Sequence, residues 1–330
     1  VAKFIATRFI TYVLLAFIAT SFTYLLAASL MHPEEVLYPP MATKPVPFET
    51  AQAYLNARNV NPDVPLFERY VTWLGGLVRG DLGVTTGTNK AMVPVTEVLL
   101  TRVPISLRLV VLGTIIGVVL GILVGMLSAV RRRSWGDKVA TLGSFAILSL
   151  PTVVVILIVQ QVNQFIQDVT GYGLPAINPV NPLLPAGSWA SIEYQIKALV
   201  MPTIVLALFG LASYSRYMKV TTLDVLGSDY LRTARAKGLS RRKAMTRHGL
   251  RMALIPMGQY FAFAVGAAFT GSLFVERMFN WQGIGAFAIS ALGMADVNGT
   301  AGVVLYSAIL TLLSATLADF LQGVLDPRIR

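Results

Sequence analysis

The chain has 330 residues, 55% of them hydrophobic and only 13% charged, with a formal net charge of +11 and a mean hydropathy of +0.66. A soluble domain of this length needs more polar surface, so the composition specifies a polytopic membrane protein. The positive charge gathers beside apolar runs, which argues against nucleic acid as a partner. With no cysteine there is no disulfide framework or thiolate site, and the two histidines, His32 and His248, are too far apart to suggest a metal site.

Lys3 and Arg8 precede an uncharged run from Phe9 to Met31. At about 23 residues, roughly 34 Å as a helix, it can cross a bilayer core. It exceeds the usual apolar core of a secretory signal, so a retained membrane helix over 1–31 is expected, with a signal peptide as the rival. Residues 32–102 are rich in proline and hold six Lys/Arg against seven Asp/Glu, the composition of an ordered segment outside the membrane. Within it, Pro65 suits the first position of a helix. Leu66, Tyr70, Trp73, Leu74 and Leu77 follow at helical spacing, with Gly80 as the stop. Their apolar face is expected on the outer membrane surface or on other helices.

Arg102 and Arg108 lead into a second span, about Leu109 to Val130. Gly113, Gly117, Gly121 and Gly125 recur there at every fourth residue, a bare ridge that lets a neighbouring helix approach closely in lipid. Arg131, Arg132, Arg133 and Lys138 fill a short loop, the strongest local sign of the cytoplasmic side. A third span, about Val139 to Val162, contains Pro151 as an expected kink. Gln160, Gln161, Asn163, Gln164 and Gln167 lie at its outer end; such amides either line a wet passage or mark a helix leaving the bilayer. An outside loop from Asp168 to Lys197 precedes a short fourth span, about Ala198 to Tyr214, with Pro202 near its outer start. The fifth span, about Met252 to Val275, encloses Gln259 and Tyr260, and the sixth runs from about Ala301 to Leu325, with Asp319 near its inner, water-reachable end. Gln160, Gln164, Gln259 and Tyr260 are the candidates for a substrate passage. All four tryptophans, Trp73, Trp135, Trp189 and Trp281, fall outside the spans, as interfacial anchors would.

Residues 216–251 carry ten Lys/Arg and two Asp. Ser228 or Asp229 can cap a short helix, and Gly238 suits its end. Ser240 can cap a second helix bearing Arg241, Arg242, Lys243, Arg247 and Arg251 before it turns apolar at Met252. Charge alone would describe a topology loop. The small residues Thr233, Ala234 and Ala236 before a glycine stop suggest instead a helix shaped to seat closely on another surface.

The run DYLRTARAKGL at 229–239, followed by RHGLRMALIP at 247–256, resembles the cytoplasmic motif of ABC importer permeases in the branch serving peptides and nickel. PLFERYVTWLGGLVRGDLG at 65–83 resembles that family's first outside loop, VERMFNWQGIGAFAISAL at 275–292 its last, and DPRIR its C-terminal ending. The general motif begins Glu-Ala-Ala with a glycine four residues after the second alanine. Ala234 and Gly238 match; Arg232 and Thr233 stand where Glu and the first Ala would be, and the proline of the general pattern falls at Arg251. The resemblance implies an all-α type I importer permease fold of six transmembrane helices with a sizeable extracytoplasmic loop after the first. Its parts would be an N-terminal helix (1–31), an extracytoplasmic segment (32–102) and a permease core (103–330) with the coupling region at 216–251. It also implies a second homologous permease chain, two ATPase subunits or one fused ATPase chain, and an extracytoplasmic substrate-binding protein. ATP and magnesium would be bound by the ATPases and no cofactor by this chain. Asp229, Tyr230, Arg232, Thr233, Ala234, Lys237 and Gly238 would form the surface that docks on an ATPase. The cargo implied is oligopeptides or dipeptides; nickel, another metal complex or glutathione is the alternative within the same machine, and a membrane scaffold or intramembrane enzyme the alternative outside it.

No phosphate-binding loop, zinc-protease helix or nucleophile elbow occurs in the chain. The spans also lack the buried charges of gradient-driven carriers. The expectation is therefore a non-enzymatic subunit of the cell membrane that borrows its energy. With both termini cytoplasmic, the inner segments hold two, four, ten and two of the 27 Lys/Arg. A tag fused to Arg330 should react with an impermeant label only after the cells are opened; labelling of intact cells would reverse the topology.

Overall fold

The computed structural model describes the backbone of residues 2–37, 46–86, 92–185, 187–245 and 249–325, without the side chains of 2–6, 8, 241, 242, 251, 255, 259, 262–271 and 319–325. The expectations for Gln259, Asp319, His248, Arg247 and the terminal DPRIR therefore lie outside the described side chains. In chain order the helices are α1 (Ala2–Leu30), α2 (Phe48–Ala57), α3 (Leu66–Val78), α4 (Val95–Val130), α5 (Trp135–Ser149), α6 (Thr152–Thr170), α7 (Trp189–Leu226), α8 (Asp229–Ala236), α9 (Arg241–Ala244), α10 (Leu250–Met278), α11 (Ile284–Gly293) and α12 (Val297–Leu325). Among the described residues five stretches are long and apolar enough to cross a membrane: Phe9–Leu30, Val95–Val130, Thr152–Thr170, Trp189–Leu226 and Val297–Ala318. The fifth expected span falls within the 29-residue α10.

Three expected spans change in form. The third is broken rather than kinked. Leu150 is extended (φ −86°, ψ 137°), Pro151 caps α6 (φ −56°, ψ 141°), and α5 and α6 are separate helices. Proline's ring pushes the residue before it out of the helical region, and here nothing restores the turn. The fourth is not short: α7 runs 38 residues through Pro202 and carries Arg216 and Lys219 as helix. Hydropathy marks where a helix prefers lipid and is silent on where its backbone hydrogen bonds stop. The second likewise begins at Val95, ahead of Pro104. Pro65 precedes the first turn of α3 as its N-cap rather than opening it.

The described residues form two compact units. The first comprises residues 1–106 and 282–313. Its core joins Tyr24, Ala27 and Ala28 of α1 to Leu55, Val60, Trp73, Val297 and Ala301, with Tyr24 and Trp73 stacked at 4.4 Å. The greasy face of α3 thus lies on other helices. Trp73 and, in the second unit, Trp281 are buried, which corrects their reading as interfacial anchors: each ring fills a protein core. Trp135 and Trp189 are exposed at the starts of α5 and α7. Asn298 holds the outer segment by donating from Nδ2 to the carbonyls of Arg58 (2.9 Å) and Val84 (3.0 Å).

The second unit comprises 107–281 and 314–330. Here α4 meets α7 along the glycine ridge. A Cβ at Gly113 would stand 2.5 Å from Leu206 Cβ, one at Gly117 3.0 Å from the Ala207 carbonyl oxygen and from Gly210 Cα, one at Gly121 2.5 Å from Tyr214 Cβ, and one at Gly125 2.8 Å from Met218 Cβ. All four glycines face α7, so the two backbones approach as only bare positions allow. Gly121→Ala should lower stability by about 1–3 kcal/mol through overpacking, read as an earlier melt in detergent. Gly143→Ala, whose Cβ meets nothing within 4 Å, should melt no earlier than wild type.

Candidate functional site

The chain leaves α7 at Leu226 and re-enters helix at α8 after two residues, Gly227 and Ser228. Ser228 occupies the N-cap position, but its hydroxyl donates back to the Val225 carbonyl (2.5 Å), so neither it nor Asp229 provides the expected side-chain cap. The other end is as expected. Gly238 has φ +90°, the Leu239 amide donates to Ala234 O (3.3 Å) and the Gly238 amide to Arg235 O (3.0 Å). This is the paired closure that a left-handed glycine makes at a helix end. The Lys243 amide donates to Ser240 Oγ (3.4 Å), starting α9.

Leu231 is buried and Ala234 half-buried, so these two seat α8 on its own chain. Asp229, Tyr230, Arg232, Thr233, Ala236, Lys237 and Gly238 are exposed. Six of the seven expected docking residues thus share the exposed surface, while Ala234 turns partly inward. Ala236 is the small residue on the outer face. Arg232 and Asp229 pair at 3.6 Å, both strongly exposed, which contributes little to stability.

Of the four passage candidates, Gln259 lies outside the described side chains, and the other three do not line one cavity. Tyr260 stacks on Tyr217 at 4.8 Å and meets Tyr214 edge-on at 4.9 Å. It lines a cavity of about 470 Å³ with Ser144, Ser213, Ser215, Arg216 and Tyr217 among its walls. The Arg216 guanidinium lies over the Phe145 ring at 4.2 Å. Gln160 and Gln164 on α6 do not reach this cavity; Gln164 is exposed and donates to Asp168 (2.9 Å). Asn163 is buried and structural: its Nδ2 donates to the Leu174 carbonyl (3.1 Å) and its Oδ1 accepts from the Leu174 amide (2.9 Å). Among the described residues no three His, Cys, Asp or Glu side chains gather as metal ligands, and His32 Nδ1 pairs with Glu34 at 3.1 Å.

Sequence reasoning missed one polar centre. Asp137 Oδ1 is bonded by Lys219 Nζ and by Ser128 Oγ, and its Oδ2 accepts from the Arg133 amide at 2.9 Å. Lys219 Nζ also donates to Thr141 Oγ1 (2.9 Å), and one turn further Ser144 and Ser215 share a hydrogen bond at 3.0 Å. This buried acid therefore joins α4, α5 and α7. A sequence sign was present: Ser134 and Asp137 are three apart at the start of α5, a reciprocal capping pattern, and Asp137 is the one acid in a basic loop. The hydrogen bond from Lys219, then that from Ser128, hold its carboxyl well below the usual carboxylate range.

The chain matches the family described as "Binding-protein-dependent transport system inner membrane component" over residues 117–330. It is 37% identical to the oligopeptide transport system permease protein OppB of Mycobacterium tuberculosis, with 99% of each chain covered. It is 32% identical to the oligopeptide permease protein AppB of Bacillus subtilis (80% and 81% covered) and 33% identical to the dipeptide permease protein DppB of Escherichia coli (81% and 82% covered).

A folded-state pKa below the unfolded value contributes stability that is present above the ordinary aspartate range, near pH 4, and lost as pH falls below it. Asp137→Asn should therefore destabilise the chain by about 2 kcal/mol; that is less than for a fully buried pair, because Lys219 remains 22% exposed. The deficit should stay constant from about pH 6 to 8 and shrink below about pH 4, read as the difference between the two melting curves. Taken together, the helices long and apolar enough to cross a membrane, the match over 117–330 and the likeness to three permeases, near full-length for one, show that this chain is a member of the binding-protein-dependent transport system inner membrane component family.

Proposed function

We propose that this chain is the membrane-spanning permease subunit of an ATP-driven importer of oligopeptides or dipeptides, forming half of the passage and taking its motion from ATPase subunits through α8. The observation that carries the reading is α8 itself. It is an eight-residue helix held by Leu231, closed by Gly238, and exposed along the side bearing Asp229, Tyr230, Arg232, Thr233 and Lys237. A helix that offers a formed, polar, exposed face two residues beyond a continuous membrane helix is built to be moved from outside the chain. The names of the relatives favour peptide cargo over nickel or glutathione.

The partners in this reading are a second homologous permease, two ATPase subunits or one fused chain that hold ATP and magnesium, and an extracytoplasmic binding protein. ATP closes the ATPases, α8 moves with its socket, and the spans rock until the passage opens outward. Substrate enters from the binding protein, and hydrolysis returns the passage inward. Coupling free energies are reciprocal, so substrate delivery must also favour closure of the ATPases. Both termini lie in the cytoplasm, and the chain itself hydrolyses nothing.

Gly238→Val places a β-branched side chain at φ +90°, a conformation such residues rarely adopt, and Ala234→Trp displaces the half-buried seat of α8. Each should abolish peptide uptake while membrane insertion, measured by protein in the membrane fraction, stays at the wild-type level. Normal uptake by both variants would remove α8 from the mechanism.

A further inference from the structure

We propose that Asp137 and Lys219 form the linkage that carries the movement of α8 into α4 and α5, acting as positioning residues. The inference rests on the coupling role of α8. Lys219 lies on α7 seven residues before Leu226, about 10 Å along an unbroken helix, and only Gly227 and Ser228 separate that helix from α8. What α8 does therefore reaches Lys219 with little slack.

From Lys219 the connection spreads sideways. Its ammonium is bonded to Asp137 and to Thr141 on α5, and Asp137 in turn is bonded by Ser128 on α4. Ser144 and Ser215 tie the same two helices, α5 and α7, one turn further along. The capping role of Asp137 does not account for this. The bond to the α5 start uses Oδ2, through the Arg133 amide, whereas Oδ1 is aimed at Lys219 and Ser128 on other helices. Helices in lipid that touch only through apolar atoms are held by dispersion packing, with no hydrophobic force added to it. A charge pair that is nearly buried cannot separate without leaving an uncompensated charge. The pair therefore makes the cytoplasmic end of α4, α5 and α7 travel as one body.

The full complex, with its partner permease and ATPases, tests this in proteoliposomes. Lys219→Met and Asp137→Asn should each lower peptide uptake roughly tenfold or more while ATP hydrolysis continues, the signature of lost coupling rather than lost fold. The exchange Asp137→Lys with Lys219→Asp should bring uptake back to within about threefold of wild type. Because the chain has no cysteine, Ser144→Cys with Ser215→Cys can replace the tie covalently. In the Lys219→Met chain, oxidation of that pair should restore uptake and reduction remove it again. Recovery by either route upholds the linkage, including where a single variant assembles poorly. Wild-type uptake in both single variants, or no recovery by either route, overturns it. If Gly238→Val also transports normally, the coupling reading has failed; if Gly238→Val is inactive and Lys219→Met is active, only the linkage has failed.

Discussion

The close approach of α4 to α7 is the constraint from which the rest of the second unit follows. Lipid is as apolar as leucine, so two helices inside it gain nothing by hiding side chains from each other. What they gain is dispersion contact, which falls off within an ångström and so rewards backbones that nearly touch. Gly113, Gly117, Gly121 and Gly125 supply a surface without side chains, and α7 answers with Leu206, Ala207, Gly210, Tyr214, Ser215 and Met218. That seam fixes where α7 runs. It thereby fixes where Lys219 can meet Asp137 and where α8 emerges.

Continuity is what turns this packing into a device. A 38-residue helix with no break at Pro202 spans the hydrocarbon and extends beyond it. The polar residues that hydropathy assigns to a loop, Arg216 and Lys219, are instead carried on a rigid rod. The short connection at Gly227 and Ser228 then joins that rod to α8, whose inner side is held by Leu231. Above the exposed helix, hydrogen bonds between Asp137, Lys219, Thr141, Ser144 and Ser215 replace the loose apolar contact usual in membranes. In the proposed coupling, the exposed polar surface at one end and the polar joint further up act as one lever.

The parts legible in the sequence are those whose physics is local or periodic. Four glycines at a spacing of four declare one helix face, and a glycine after a short polar helix declares its end, because each depends only on neighbours along the chain. Asp137 and Lys219 are 82 residues apart, and no pattern within either segment names the other. Trp73 and Trp281 were unreadable for a related reason: an indole suits a membrane interface and a protein core equally well, and only the fold chooses. The full length of α7 was hidden because its charged turns look like loop to any measure of transfer from water. Gln160 and Gln164 have the chemistry of a passage, but they are not among the residues lining the cavity that Tyr260 lines.

The interruption at Leu150 and Pro151 has a cost that this chain meets only in part. Fifteen residues of α5 rise only about 22 Å from the basic loop, short of the roughly 30 Å of hydrocarbon. Two of the last four carbonyls of α5 are met within the chain, Ala146 O by Ser149 Oγ (2.9 Å) and Ile147 O by the Leu150 amide (3.3 Å); lipid offers no hydrogen bond to the others, and Ser149, Leu150 and Pro151 are all exposed. A copy of this subunit left alone in the bilayer would carry a raw corner of backbone, and only a neighbouring protein or a water-filled channel could dress it. Orphan copies would thus betray themselves chemically, and membrane quality control would have a reason to remove whatever fails to find its mate.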